Sequence, residues 1–124
     1  MKSSDYFRIC RISEYCKKIN ATILRFGKEY EMFKEDLDFR NSVSMSLMQI
    51  GEIVGGLSDE FKVQTSDKMQ WGGMKAMRNM FAHGYDLMDK DIVWEVAVTD
   101  VPTLKKFCDS MILKEKTDRN KDER

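Results

Sequence analysis

From Ile9 onward the apolar residues recur at intervals of three and four, through Ile12, Cys16, Ile19, Ile23 and Phe26. Such spacing puts them on one side of a helix and dictates a long amphipathic helix with a single inward stripe. Ser3 or Ser4 is placed to cap its start through a hydroxyl and Gly27 to stop it, so the helix is expected over about residues 4–26. Arg8, Arg11, Glu14, Lys18 and Arg25 fall on the other side and read as a solvated face. One proline and seven glycines in 124 residues leave few interruptions, so the remaining elements should also be long helices.

Lys28 to Asp36, with Tyr30, Met32 and Phe33 among charges, reads as a short helical turn leading into a second long helix over about residues 37–56. Val43-Ser44-Met45-Ser46-Leu47 alternates locally like a strand. Val43, Leu47, Ile50, Val54 and Leu57 keep helical spacing over a longer run, and the longer pattern wins. Ser42, Ser44 and Ser46 are small enough for another helix to approach closely. Gly55-Gly56 ends this helix and Ser58-Asp59-Glu60 caps a brief next one.

Ser66 or Asp67 then caps a helix that buries Trp71, Met74, Met77 and Phe81, with Gly72 and Gly73 suited to a close backbone approach. Gly84 favours an end or a kink there. Ile92 to Val98 is rich in β-branched residues, but a lone strand has nothing to pair with, so it reads as a short helix from about Asp89. Asp100 and Pro102 open a last helix to about Lys114, with Leu104, Phe107, Cys108 and Met111 inward. The expected fold is all-α, an antiparallel bundle of four or five helices in one domain over residues 1–114. Residues 115–124 lack any apolar side chain and read as a charged, disordered tail.

Composition excludes several functions. Twenty-one basic and twenty-one acidic residues cancel, which leaves no bulk attraction for nucleic acid or membrane; any RNA binding must be local. Cys10, Cys16 and Cys108 are odd in number and lack C-x-x-C spacing, so they read as packing residues in a reducing cytosol. There is no signal-peptide core and no apolar run near the ~20 residues that span a bilayer, so a cytoplasmic protein is expected. With one histidine there is no zinc set of ordinary composition, and scattered carboxylates read as solvated charge instead of a magnesium site. No phosphate-binding glycine loop or G-x-S-x-G elbow is present, and no cofactor is expected.

The one histidine, His83, stands in Met77-Arg78-Asn79-Met80-Phe81-Ala82-His83-Gly84-Tyr85. Asn79 and His83, four apart, share a helical face, so Asn79 is placed to bond the imidazole or the nearby backbone, or stands as an ordinary surface residue. Arg78 diverges from His83 by roughly 140°, a gap the long arginine stem can close. Tyr85 reads equally as a packing aromatic with its hydroxyl on the rim.

This stretch has a setting. Phe33 with Asp36, Ile50-Gly51-Glu52, Trp71, Met77-Arg78-Asn79, His83 and Tyr85, Val93-Trp94, and Pro102 with Leu104 stand in an order that resembles the HepT-like branch of the HEPN superfamily. The resemblance covers roughly residues 5–113. Gly84 departs from it, since the family often has an acidic residue there, and a carboxylate role at that position is put in doubt. The resemblance implies a HEPN-like helical homodimer that brings two copies of the Arg-x4-His motif to one cleft and cuts RNA. It also implies a toxin whose tyrosine, here Tyr85, is adenylylated by an MntA-like nucleotidyltransferase antitoxin.

The chemistry agrees with the residues. A metal-free ribonuclease needs a base for the 2′-OH proton, donors for the phosphate and an acid for the leaving oxygen; His83 and Arg78 supply these types. One imidazole does not easily make both proton transfers, which a second copy would solve. The rival expectation is a non-catalytic helical module that binds a nucleotide or docks the nucleotidyltransferase.

Overall fold

A computed structural model describes residues 1–74, 78 and 89–122, and every regular element among them is helical. Helix α1 spans Ser3–Arg25, α2 Tyr30–Glu35, α3 Leu37–Gly55 and α4 Asp59–Gln64. Residues 71–74 and 78 are helical, and α5 covers Lys90–Glu95. A π-helical turn, Val96–Asp100, passes directly into α6, Val101–Asp122. Helices α1 and α3 have the extent their apolar periodicity dictates.

Helix α1 is the shared wall of the bundle. Ile9, Ile12, Cys16 and Ile19 are almost wholly buried, packed between α3 and α6. Tyr6 meets Arg119 and Ser13 meets Asp109, so α1 and α6 run antiparallel. Arg8 lies over Gly56 and Phe26 stacks on Phe39 at 4.4 Å, so α3 also runs antiparallel to α1. The expected serine cap is not made: Lys2 holds the cap position without a side-chain bond, and Ser3 and Ser4 fall inside the first turn. At the other end Gly27 takes φ +82° and lets the Lys28 N–H return to the Ile23 carbonyl at 2.9 Å.

An aromatic cluster closes the far end of the bundle. Phe33 meets Phe39 edge-on at 5.2 Å, and Trp94 of α5 packs against Tyr30, Phe33 and Phe39. Asp36 caps α3 by accepting from the Phe39 N–H, and Asp89 caps α5 by accepting from the Asp91 N–H. The β-branched run from Ile92 is therefore helical, as expected.

Two expectations at the C-terminal side are corrected. Asp100 caps nothing, because the chain stays helical through it; the Val101 N–H bonds the Val96 carbonyl across the wider turn. Pro102 has no N–H to donate, and the π turn shifts the bonding register just where an α ladder would lose a rung. The last helix also continues to Asp122 instead of ending near Lys114 in a disordered tail. Arg119 lies over the Tyr6 ring at 4.4 Å and its Nε bonds Glu115, so charged residues extend the helix by docking on α1.

One polar link ties the two ends of the sequence's first half. Asp5, 1% exposed, accepts from the Ser58 N–H at 2.8 Å and from the Ser58 hydroxyl at 2.6 Å. Ser58 in turn caps α4 by accepting from Phe61 N–H. Replacing Asp5→Ala leaves the two part-buried donors of Ser58 without their acceptor, so stability should fall by about 2 kcal/mol. Thermal melting followed by circular dichroism should show the midpoint lowered by about 8 °C, and Ser58→Ala added to it should cost much less than it does alone.

Candidate active site

The chain ahead of Arg78 is anchored at Trp71. Thr65 closes α4, its hydroxyl donating to the Phe61 carbonyl at 2.8 Å while accepting from the Trp71 indole N–H at 2.8 Å. The indole, 6% exposed, sits between Phe61 and Phe107 at centroid distances of 6.0 and 5.6 Å. Both polar atoms of this link are inside the protein, where an unmade bond is costly. Ser66 and Asp67 do not cap the helix as expected. The Lys68 and Met69 N–H groups turn back to the Thr65 carbonyl, Ser66 donates to the Val63 carbonyl, and helical structure resumes only at residue 71.

The close backbone approach is real but lies elsewhere than expected. A Cβ built on Gly72 or Gly73 would meet nothing within 4 Å, and both residues are exposed. Gly51 on α3 is the crowded one. A Cβ there would stand 3.3 Å from Arg78 Cα and only 2.5 Å from Arg78 Cβ, closer than real side chains come. The helical segment at residue 78 therefore crosses α3 at Gly51, with no room for a methyl group.

Arg78 is half-buried, and its Nε donates to Glu52 Oε1 at 2.6 Å. In the sequence Glu52 stands only as a landmark; its adjacency to Gly51 is the available signal, since whatever packs on Gly51 lies within reach of its neighbour. Asn79, His83 and Tyr85 lie outside the described residues, as do Lys75, Met77, Phe81 and Gly84. Lys90 is exposed at the start of α5. That helix is anchored by Trp94 and by the Tyr30 hydroxyl, which donates to the Asp91 carboxylate. The chain is thus pinned at Trp71 before the motif and at α5 after it.

Other chemistries find little among the described residues. No group of three His, Cys, Asp or Glu side chains is placed to hold a metal ion there. Burial pushes the Cys16 thiol up to about 12 and the Cys108 thiol further, so both stay protonated packing groups between α1 and α6. Burial by itself would raise the Asp109 carboxyl, but the bonds from Lys105 and Ser13 outweigh it and hold the group below its usual range. It serves as a strut between the same two helices. No helix among the described residues is long and apolar enough to cross a membrane.

The family model described as ribonuclease HepT-like matches residues 12–111. A candidate RNase of Caldanaerobacter subterraneus subsp. tengcongensis is 32% identical over 90 residues, covering 73% of this chain and 80% of the relative. Two candidate RNases of Methanocaldococcus jannaschii are also similar. One is 29% identical over 73 residues, covering 59% of this chain and 60% of that relative. The other is 28% identical over 86 residues, covering 68% and 78%. No solved structure gives a significant match.

The Thr65–Trp71 link can be tested through stability. Thr65→Val keeps the shape but leaves the buried indole N–H unsatisfied, and should cost about 1–3 kcal/mol in chemical denaturation. Trp71→Phe should lower stability too, and the pair should be non-additive, because one hydrogen bond is being removed twice.

Proposed function

The chain belongs to the HepT-like ribonuclease family, and from that premise we propose that it is the toxin of a toxin–antitoxin pair, a metal-independent RNA endonuclease acting as a two-fold dimer. The observation that carries this reading is the seating of Arg78. Three landmarks of the family order, Gly51, Glu52 and Arg78, converge on one spot, although Arg78 and Glu52 are 26 residues apart in the chain. An arginine held at its root and again at Nε is suited to meeting a phosphate in one orientation.

In this mechanism Arg78 binds the scissile phosphate and stabilises charge that grows on its oxygens. His83 of one protomer takes the proton from the ribose 2′-OH, and the histidine of the second copy gives a proton to the leaving 5′-oxygen. The attack by the 2′-oxygen makes RNA the substrate and leaves DNA uncut. Asn79 sets the imidazole's orientation. The dimer supplies the second motif, with helix α3 and the segment around residues 71–83 at the interface. In keeping with that, α3 leaves Leu37 and Met45, 55% and 51% exposed, on the stripe that also holds Glu52.

Tyr85 is the proposed switch. A partner nucleotidyltransferase of the MntA type would transfer AMP from ATP to its hydroxyl, forming the phosphotyrosyl ester and releasing pyrophosphate. The attached phosphate and adenine would then lie beside the cationic cleft and exclude RNA. Because the chain has equal numbers of acidic and basic residues, RNA affinity rests on a few local cations such as Lys75, Arg78 and Lys90. Such binding is strongly salt-dependent and sensitive to one added anion.

Purified protein should cleave RNA in EDTA, and His83→Ala should abolish cleavage. Arg78→Lys should lower kcat/KM by about a hundredfold with the fold intact, since lysine lacks the planar fork. A purified protein that cuts no RNA would mark it as a non-catalytic module, whereas cleavage that stops in EDTA or persists in His83→Ala would overturn the metal-free histidine mechanism.

Tyr85→Phe keeps the ring and removes the acceptor hydroxyl. It should remain toxic when the partner is co-expressed, whereas wild type incubated with partner and ATP should gain an AMP adduct at Tyr85 by mass spectrometry. Neutralisation of the phenylalanine variant would move the switch from modification to complex formation.

A further inference from the structure

The Arg78–Glu52 contact has a geometry that stability does not explain. Both side chains are substantially exposed, 39% for Arg78 and 52% for Glu52, and ion pairs so open to water add little to folding. The contact nevertheless joins two elements that also touch through backbone. Gly51 lets α3 lie against Arg78 Cα and Cβ, so the root of the arginine is held by steric contact. Glu52, the next residue on α3, takes the Nε–H at 2.6 Å, so the side chain is held again at the start of its guanidinium. A guanidinium is planar, and fixing its Nε–H direction sets the plane and heading of its terminal nitrogens. The long flexible stem is thereby constrained at both ends.

The geometry points to Gly51 and Glu52 as a two-point seat for the Arg78 guanidinium, with Glu52 a positioning residue of the ribonuclease. This role rests on the ribonuclease reading of Arg78. Glu52 acts through the arginine and not on the substrate. Its carboxylate also brings negative charge near the phosphate, so holding the arginine this way weakens RNA binding while improving its orientation. Orientation and charge can be separated by substitution. Glu52→Gln retains an amide oxygen able to accept from Nε but loses the charge; Glu52→Ala loses both.

The test uses the full-length protein and a fluorophore-labelled single-stranded RNA of mixed sequence, with kcat and KM measured separately. Glu52→Ala should lower kcat between about tenfold and a hundredfold, the range expected when a phosphate-binding group is misaligned. Glu52→Gln should restore most of kcat and lower KM, a rescue by the conservative variant that a merely structural residue would not show. Thermal midpoints of both variants should stay within about 4 °C of wild type, as for the loss of an exposed ion pair. Wild-type kcat in Glu52→Ala alongside an inactive Arg78→Ala overturns the seat and leaves the ribonuclease reading standing. Equal losses of kcat in the alanine and glutamine variants, matched by lowered midpoints, also overturn it. An Arg78→Ala protein with full activity, or a wild type that cuts no RNA, overturns the ribonuclease reading itself.

Discussion

Everything in this fold leans on the apolar stripe of α1. Its isoleucines, with Cys16, are covered on one side by α3 and on the other by α6, and both neighbours run antiparallel to it. Burying each such side chain contributes about 1.5–3 kcal/mol, which is what offsets the entropy of ordering three long helices. The polar ties across α1 act differently. Ser13 donates to Asp109, Asp5 grips Ser58, and Arg119 covers Tyr6, each fixing how far one element slides along another. Burial is non-directional and leaves the axial register to such contacts.

The frame in turn positions the Arg78 segment. Trp71 is locked by Thr65 and by two aromatic rings, one from α4 and one from α6. After the motif, Trp94 and the cap of α5 hold the chain in the aromatic cluster of α2 and α3. Between these anchors α3 presents Gly51 and Glu52 to Arg78. A site assembled this way depends on helices packed for stability, so its alignment does not have to come from the site residues alone.

The elements were legible in the sequence to different degrees. Long periodic helices were, because a stripe repeated over several turns leaves one packing solution. Ser58 and Asp36 cap as their residue types suggest, but Ser3, Ser66 and Asp100 do not, although their types are equally suitable. A cap depends on where the chain turns, and the turn at residues 65–69 and the π turn before Pro102 are settled by packing around them. Glycine misled for a similar reason. Gly72-Gly73 looks like a contact pair and is open, while Gly51, which stood out only as a landmark of the family order, is the tightest crossing described.

What the sequence by itself determined was the helical class, the stripes that face the core and the motif residues with their chemical types. Those follow from periodicity and from side-chain functional groups, which are local properties of the chain. Only the tertiary structure decided that Arg78 lies on Gly51 and bonds Glu52, and that the charged C-terminal residues extend a helix instead of fraying. Pairings between residues far apart in the chain come from how helices cross, and the crossing is set by the whole core at once. No local pattern around residue 52 or residue 78 encodes it.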